Sequence, residues 1–289
     1  MGRIRVGISG WNYPGWRRRF YPVGLPQRRE LEYASQRLDS IEINGTFYAL
    51  QRPESFGAWR DQTPDDFVFA VKGGRFITHM KRLADPETTL PNFFASGLLA
   101  LGRKLGPVLW QLPPTLAYDP DRLEAFFRLL PRTTTTAAHL AEGHDDRLDG
   151  RAWTTTDKRR RIRHAVEVRH PSFRDPSFIE LLRRHRIGLV IADAAGDWPA
   201  LEDVTADFVY LRLHGAEELY ASGYDAESLD AWAAKIRRWA AGEAPMSDRT
   251  VGTEGPRRDS GRDVFAYFDN DANVRAPVDA MELARRLAD

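Results

Sequence analysis

A parallel α/β barrel of eight strands is the fold this sequence predicts, on three observations. Short β-branched runs alternate with stretches of helical period along the chain. Eight strand units can be counted, the number that closes a TIM-type barrel. Most connections are of helical length, which parallel neighbours need and hairpins do not. A doubly wound open sheet is the competitor, but it usually has fewer strands, and the chain has no Gly-x-Gly-x-x-Gly or Walker-type phosphate loop. The 289 residues, 42% hydrophobic and 29% charged, read as one domain, 1–289, able to bury a sizeable core.

Residues 5–9 read as the first strand, followed by an aromatic, glycine-rich loop at 10–16 and a helix around 27–37. The second strand, 39–44, sets Ile41 and Ile43 against Glu42 and Asn44, ahead of a short helix near 53–61. Strand three, 67–72, precedes a helix over about 92–104. Strand four, 107–112, stops at Pro113-Pro114, which cannot continue a ladder, and Asp119 caps a helix over 120–130. From 131 to 163 the pattern weakens into a threonine run, a short helical piece near 137–142 and a basic cluster, which we read as an inserted polar excursion. Strand five, 164–169, has its helix at 176–185, while strand six, 188–193, has only a short connection to strand seven, 208–213. A long amphipathic helix follows at 226–241. The segment 242–262 is rich in Gly, Pro, Ser and charge with scarcely an apolar anchor, and is expected to be a mobile surface loop. Strand eight, 263–268, and a helix at 277–287 close the chain.

Buried parallel strands should be continuously apolar, yet here strand after strand ends on polar side chains. Glu42, Asn44, Lys72, Gln111, Glu167, Arg169, Asp193, Arg212, His214 and Asn270 interleave with or follow aliphatic runs. Alternation assigns the aliphatic members to the helix layer and the polar members to the barrel interior at its C-terminal mouth, where barrels carry their catalytic groups. Burying so many charges is costly unless they pair, bind metal or face a wet cavity. The competing reading is an ion network that pairs off within itself, Glu42 or Glu167 with Arg169, Lys72 or Arg212.

Composition narrows the function classes. Net charge +1 and a pI near 8.0 give no overall field for tracking nucleic acid. The absence of cysteine removes disulfides, thiolate metal sites and a cysteine nucleophile, and fits a cytoplasmic protein. No run approaches a membrane span and no signal core opens the chain, so no membrane partner is expected. Nothing marks an oligomer interface.

Six ordered motifs carry a resemblance: Gly7-Ile-Ser-Gly-Trp11, Ile41-Glu-Ile-Asn-Gly-Thr-Phe-Tyr48, Leu105-Gly-Pro-Val-Leu-Trp-Gln-Leu-Pro-Pro114, Val166-Glu-Val-Arg-His-Pro-Ser172, Tyr210-Leu-Arg-Leu-His-Gly215 and Tyr267-Phe-Asp-Asn-Asp271. Together they resemble the successive signatures of the YecE-like family, a domain of unknown function, across essentially the whole chain. The resemblance implies a TIM barrel and leaves the activity open. Gly45 and Asp269 stand where that family commonly has serine and asparagine; Asp269 adds a carboxylate beside Asn270.

Glu42, Glu167, Asp193 and His214 are the catalytic candidates, and the same four would suit Mg²⁺, Mn²⁺ or Zn²⁺ if a divalent metal is used. The metal-free alternative has Glu167 as base and His214 as acid or proton shuttle. Lys72, Arg169, Arg212 and His79 would make the mouth cationic and select a small anionic substrate, phosphorylated or carboxylated. Asn44, Gln111 and Asn270 add polar contacts, and Trp11, Tyr48, Tyr220 and Tyr224 are candidate aromatic walls. The basic runs Arg17-Arg18-Arg19 and Lys158-Arg-Arg-Arg161 leave nucleic acid open but not favoured. Three readings follow: a small-molecule enzyme, a metal-dependent nucleic-acid phosphodiesterase of the endonuclease IV type, and a non-catalytic ligand-binding barrel.

Overall fold

The computed structural model describes residues 1–288. Its strands are β1 (Ile4–Ser9), β2 (Ser40–Ile43), β3 (Val68–Lys72), β4 (Leu105–Gln111), β5 (His164–Glu167), β6 (Gly188–Asp193), β7 (Phe208–Leu213) and β8 (Asp263–Phe268). Every strand pairs in parallel with the next and β8 pairs back onto β1, so the sheet closes in sequence order. The open-sheet alternative is excluded. Helices α1 (Glu30–Ser35), α2 (Gly45–Tyr48), α3 (Pro53–Asp61), α4 (Pro86–Ala95), α5 (Pro120–Leu129), α6 (Thr134–Ala141), α7 (Pro176–His185), α8 (Ala226–Ala240) and α9 (Arg275–Ala288) occupy the connections. None of the described helices is long and apolar enough to cross a membrane.

Strand alternation separates two cores. Ile8, Ile41, Ile43, Phe69 and Val71 pack outward beneath the helices, while Ala70, Leu109, Ala165, Val190, Phe208, Tyr210, Phe265 and Tyr267 fill the barrel. The next inward position after that filling is the polar layer: Glu42, Lys72, Gln111, Glu167, Arg212 and Asp269.

Several expected elements shift. The helix placed at 92–104 is α4, starting at Pro86 and ending at Ala95, followed by a tight helical segment over Leu98–Lys104. Proline suits the first helical turn, and Gly97 breaks the path with φ +118°, where a Cβ would lie 2.5 Å from Pro53 Cα. The helix at 27–37 shortens to α1 after a single turn, Gln27–Arg29. The excursion at 131–163 is partly regular, because the threonine run is a helix cap: Thr133 Oγ1 accepts from Thr136 N at 3.2 Å, opening α6, which packs on α4. The segment 242–262 is pinned rather than free. Asp203 accepts from Val251 N at 3.0 Å and Gly252 N at 2.9 Å, and the buried Arg262 ties the segment to its own carbonyls.

Candidate active site at the barrel mouth

The centre of the mouth is Arg212, projecting inward from β7 with no exposed surface. Its Nη1 donates to Glu167 Oε2 at 2.7 Å, and its Nη2 to Glu42 Oε1 at 2.9 Å and Asp269 Oδ2 at 2.7 Å. Glu42 is held further by Ser9 Oγ at 2.5 Å and Tyr210 O–H at 2.6 Å. One layer down, Tyr267 O–H meets Ser40 Oγ at 2.7 Å. The polar end of the barrel is therefore a continuous hydrogen-bonded plate, which offsets the cost of burying its charges.

Above this plate, Arg169 Nε donates to Glu167 Oε1 at 2.8 Å, its Nη2 reaches Tyr220 O–H at 3.2 Å, and its guanidinium stacks 3.5 Å from the Trp198 ring centre. His214 lies edge-on to Trp198 and Tyr220, with Nδ1 3.2 Å from Asp269, although neither ring nitrogen makes a well-directed hydrogen bond. Lys72 stands apart. It is 7% exposed, its Nζ is 4.5 Å from the Phe47 ring centre, and it has no hydrogen-bond or ion-pair partner among the described residues. His79, on the wide turn Phe76–Met80, packs edge-on to the same Phe47 ring and places Nε2 3.5 Å from Gln111 Nε2.

The electrostatics follow from these contacts. Burial would raise the Glu167 carboxyl, but Arg169 and Arg212 outweigh it and hold the group well below the usual range. Asp269 is depressed in the same way, burial being outweighed by Arg212, His214 and Lys72 together. Burial opposes the charge on Arg212, yet Asp269, Glu42 and Glu167 keep it firmly protonated. Burial, reinforced by Arg212, lowers Lys72 to about 8. His79 falls to about 4 through burial and the nearby Arg169 and Lys72, and burial also lowers His214, so both imidazoles are neutral at pH 7.

Of the residues singled out from sequence, Glu42, Lys72, His79, Gln111, Glu167, Arg169, Arg212 and His214 come together at this mouth. Asp193, Asn270 and Tyr224 do not. Asp193 shares the outward face of Leu189 and Ile191 and lies beside Tyr224 and Trp232. Asn270 donates to Asp279 at 2.8 Å and Ser222 O at 2.9 Å beneath α9, and Tyr224 O–H accepts from Gly215 N at 3.2 Å. Trp11, Asn44 and Tyr48 line a separate cleft of about 320 Å³ beside β1 and β2, with Tyr13, Gln51 and Trp59. The expected metal set does not assemble. Among the described residues no three His, Asp or Glu side chains stand so as to hold a metal ion. Asp193 faces the helices, and Glu42 and Glu167 converge on Arg212, whose guanidinium fills the point between them.

Ser9, Tyr210 and Trp198 escaped sequence reasoning. Counting back two residues from Arg212 would have found Tyr210, and counting on two from Tyr267 would have put Asp269, rather than Asn270, inside the barrel. No comparable signal marks Trp198, which sits in an irregular segment between β6 and β7.

A family model described as "Protein of unknown function DUF72" matches residues 5–289. The chain belongs to this family. It is 29% identical over 170 residues to UPF0759 protein YecE of Escherichia coli K12, covering 59% of this chain and 50% of that protein. UPF0759 protein YunF of Bacillus subtilis is 28% identical over 116 residues, covering 38% of this chain and 40% of that protein. The match thus spans about half the length of the curated relative YecE. Among solved structures, a DUF72 family protein from Thermotoga maritima superposes with a TM-score of 0.73 at 20% identity, over 99% of this chain and 100% of that one. A DUF72 family protein from Enterococcus faecalis gives 0.68 at 17%, over 99% and 95%. These likenesses establish the fold, and the YecE-like resemblance read from the six motifs is confirmed as DUF72 membership.

Proposed function

We propose that the mouth of this DUF72 barrel binds a small anionic molecule, phosphorylated or carboxylated, and acts on it by metal-free acid/base chemistry. One observation carries the reading: a buried amine, Lys72, with no partner among the described residues, on the solvent side of a plate whose carboxylates are already bound. Glu42 and Glu167 have no exposed side-chain surface, whereas Lys72 and Arg169 retain 7% and 10%. An arriving anion therefore meets cations first. Arg169, held by Glu167 and stacked on Trp198, offers a fixed guanidinium edge, and Gln111 adds a neutral polar contact.

The proton-transfer role passes from Glu167 and His214 to Lys72. A carboxylate bound by two guanidiniums is a weak base, and His214 is sealed from solvent, so both position the plate. An amine lowered to about 8 can give or take a proton near neutral pH. The phosphodiesterase reading loses its support with the metal donor set. A cytoplasmic location fits the cysteine-free composition and forms part of this proposal.

Titration calorimetry with inorganic phosphate and malonate tests the binding. Lys72→Met should weaken the better ligand at least tenfold, and unchanged affinity in that variant would sink the site. Turnover is tested on a panel of phosphorylated and carboxylated small molecules, with Lys72→Met as the inactive control. A second reading, a ligand-binding barrel without turnover, is favoured by the closed pairing of Arg212 with three carboxylates. Lys72-dependent binding with no turnover across the panel would select it.

A further inference from the structure

A second group of cations lies at the opposite end of the barrel. A cavity of about 460 Å³ is lined there by Arg161, Arg183, Arg186, Arg258, Arg262 and Asp207. All six precede a strand in the chain, Arg161 before β5, Arg183 and Arg186 before β6, Asp207 before β7, and Arg258 and Arg262 before β8, which places the cavity on the N-terminal face. Three of these arginines come from the two polar excursions, including Arg161 of the Lys158–Arg161 run, for which the mouth has no use.

Five guanidiniums face one carboxylate, an excess of four positive charges. Asp207 is already engaged, since Arg161 donates to it and Arg163 approaches within 3.7 Å. Arg183, Arg186, Arg258 and Arg262 form no ion pair among the described residues. Arg262 is 1% exposed, and among the described residues its side chain donates only to carbonyls, Gly242 O at 2.6 Å, Glu243 O at 3.0 Å, Ala206 O at 3.4 Å and Pro256 O, with Asp207 the nearby carboxylate. Carbonyl dipoles solvate a guanidinium without neutralising it. Burial and the nearby Arg258 both act against the Arg262 charge, and burial with Arg161 and Arg186 does the same to Arg132. The side chains of Arg186 and Arg258 donate to no group among the described residues.

We infer that this cavity binds a small polyphosphate, inorganic or carried by a nucleoside. Guanidinium forks match phosphate oxygens in pairs, and three to four negative charges on one compact ligand would balance the excess that the fold leaves. The volume is in the range of small-molecule sites and exceeds what a single phosphate needs.

The test uses the full chain, with inorganic triphosphate and ATP as separate probes in titration calorimetry at fixed salt. At least one should bind, and the double variant Arg186→Gln/Arg258→Gln should weaken that binding tenfold or more, with an unchanged melting temperature when no ligand is present. Tighter binding of triphosphate identifies the phosphate chain as sufficient; tighter binding of ATP shows that the nucleoside adds contacts. Lys72→Met, which removes binding of the probes at the mouth, should keep the binding that the double variant loses, and this separates the cavity from the mouth. Equal binding by the double variant, or no binding of either probe, overturns the inference. So does tighter binding of a single-stranded oligonucleotide lost in the same variant, which would make the surface a nucleic-acid contact.

Discussion

At the C-terminal mouth Arg212 is met by three carboxylates within 2.9 Å, whereas on the N-terminal face Arg262, equally buried, donates among the described residues to backbone carbonyls alone. Both arginines sit next to other cations, yet only the first is neutralised. The difference separates two uses of buried charge. The mouth is a self-paired plate that fixes geometry and leaves one amine, Lys72, unpaired. The opposite face carries an excess of charge that an anion from outside would balance.

The contrast is broken most severely by removing a carboxylate from the plate. Glu167→Gln keeps the shape but leaves Arg169 and Arg212 short of a counter-charge, and should cost about 3–5 kcal/mol in urea unfolding. A loss below about 1 kcal/mol would mean that the plate is not held by its ion pairs. Asp269→Asn should cost less, about 1–3 kcal/mol, because Arg212 keeps Glu42 and Glu167.

That substitution also reports on acid stability. Glu167 and Asp269 have folded-state carboxyls held below their unfolded values, so their stabilisation is present above about pH 4 and is lost as pH falls through the folded range. Melting temperature against pH should decline less steeply in acid for Asp269→Asn. Lys72 gives the opposite limb. Its folded value, about 8, lies below the unfolded value of about 10.4, so the unfolded chain binds the extra proton between them. Stability should rise over that window, and Lys72→Met should abolish the rise. The smallest effect belongs to the other face: Arg186→Gln/Arg258→Gln should change stability by no more than about 0.5 kcal/mol without ligand.

Alternation made most of this legible. Lys72, Gln111, Glu167 and Arg212 each follow a residue of the barrel filling by two, and Glu42 alternates with the outward Ile41 and Ile43, so the period of a strand alone brought them to the mouth. The rule misled where both faces of a strand are apolar. In β6 the run Leu189-Val-Ile-Ala gives no clue to which face is which, and Asp193 falls on the outer one. After β8 the run Asp269-Asn-Asp271 offers a polar residue at either parity. The arginines of the N-terminal face come from three separate connections, and only closure of the barrel brings them round one cavity. The expectation of a mobile 242–262 segment missed its anchors, which are hydrogen bonds accepted by Asp203 and donated by Arg262, not apolar side chains.

The most direct test is the ionisation of Lys72. In a protein carrying ¹³C at the lysine ε carbon, with the Lys72 signal identified by its absence in Lys72→Met, that signal should titrate near 8 and shift when inorganic phosphate or malonate is added. A Lys72 that titrates at the ordinary value of about 10.4 and ignores both anions would contradict the account.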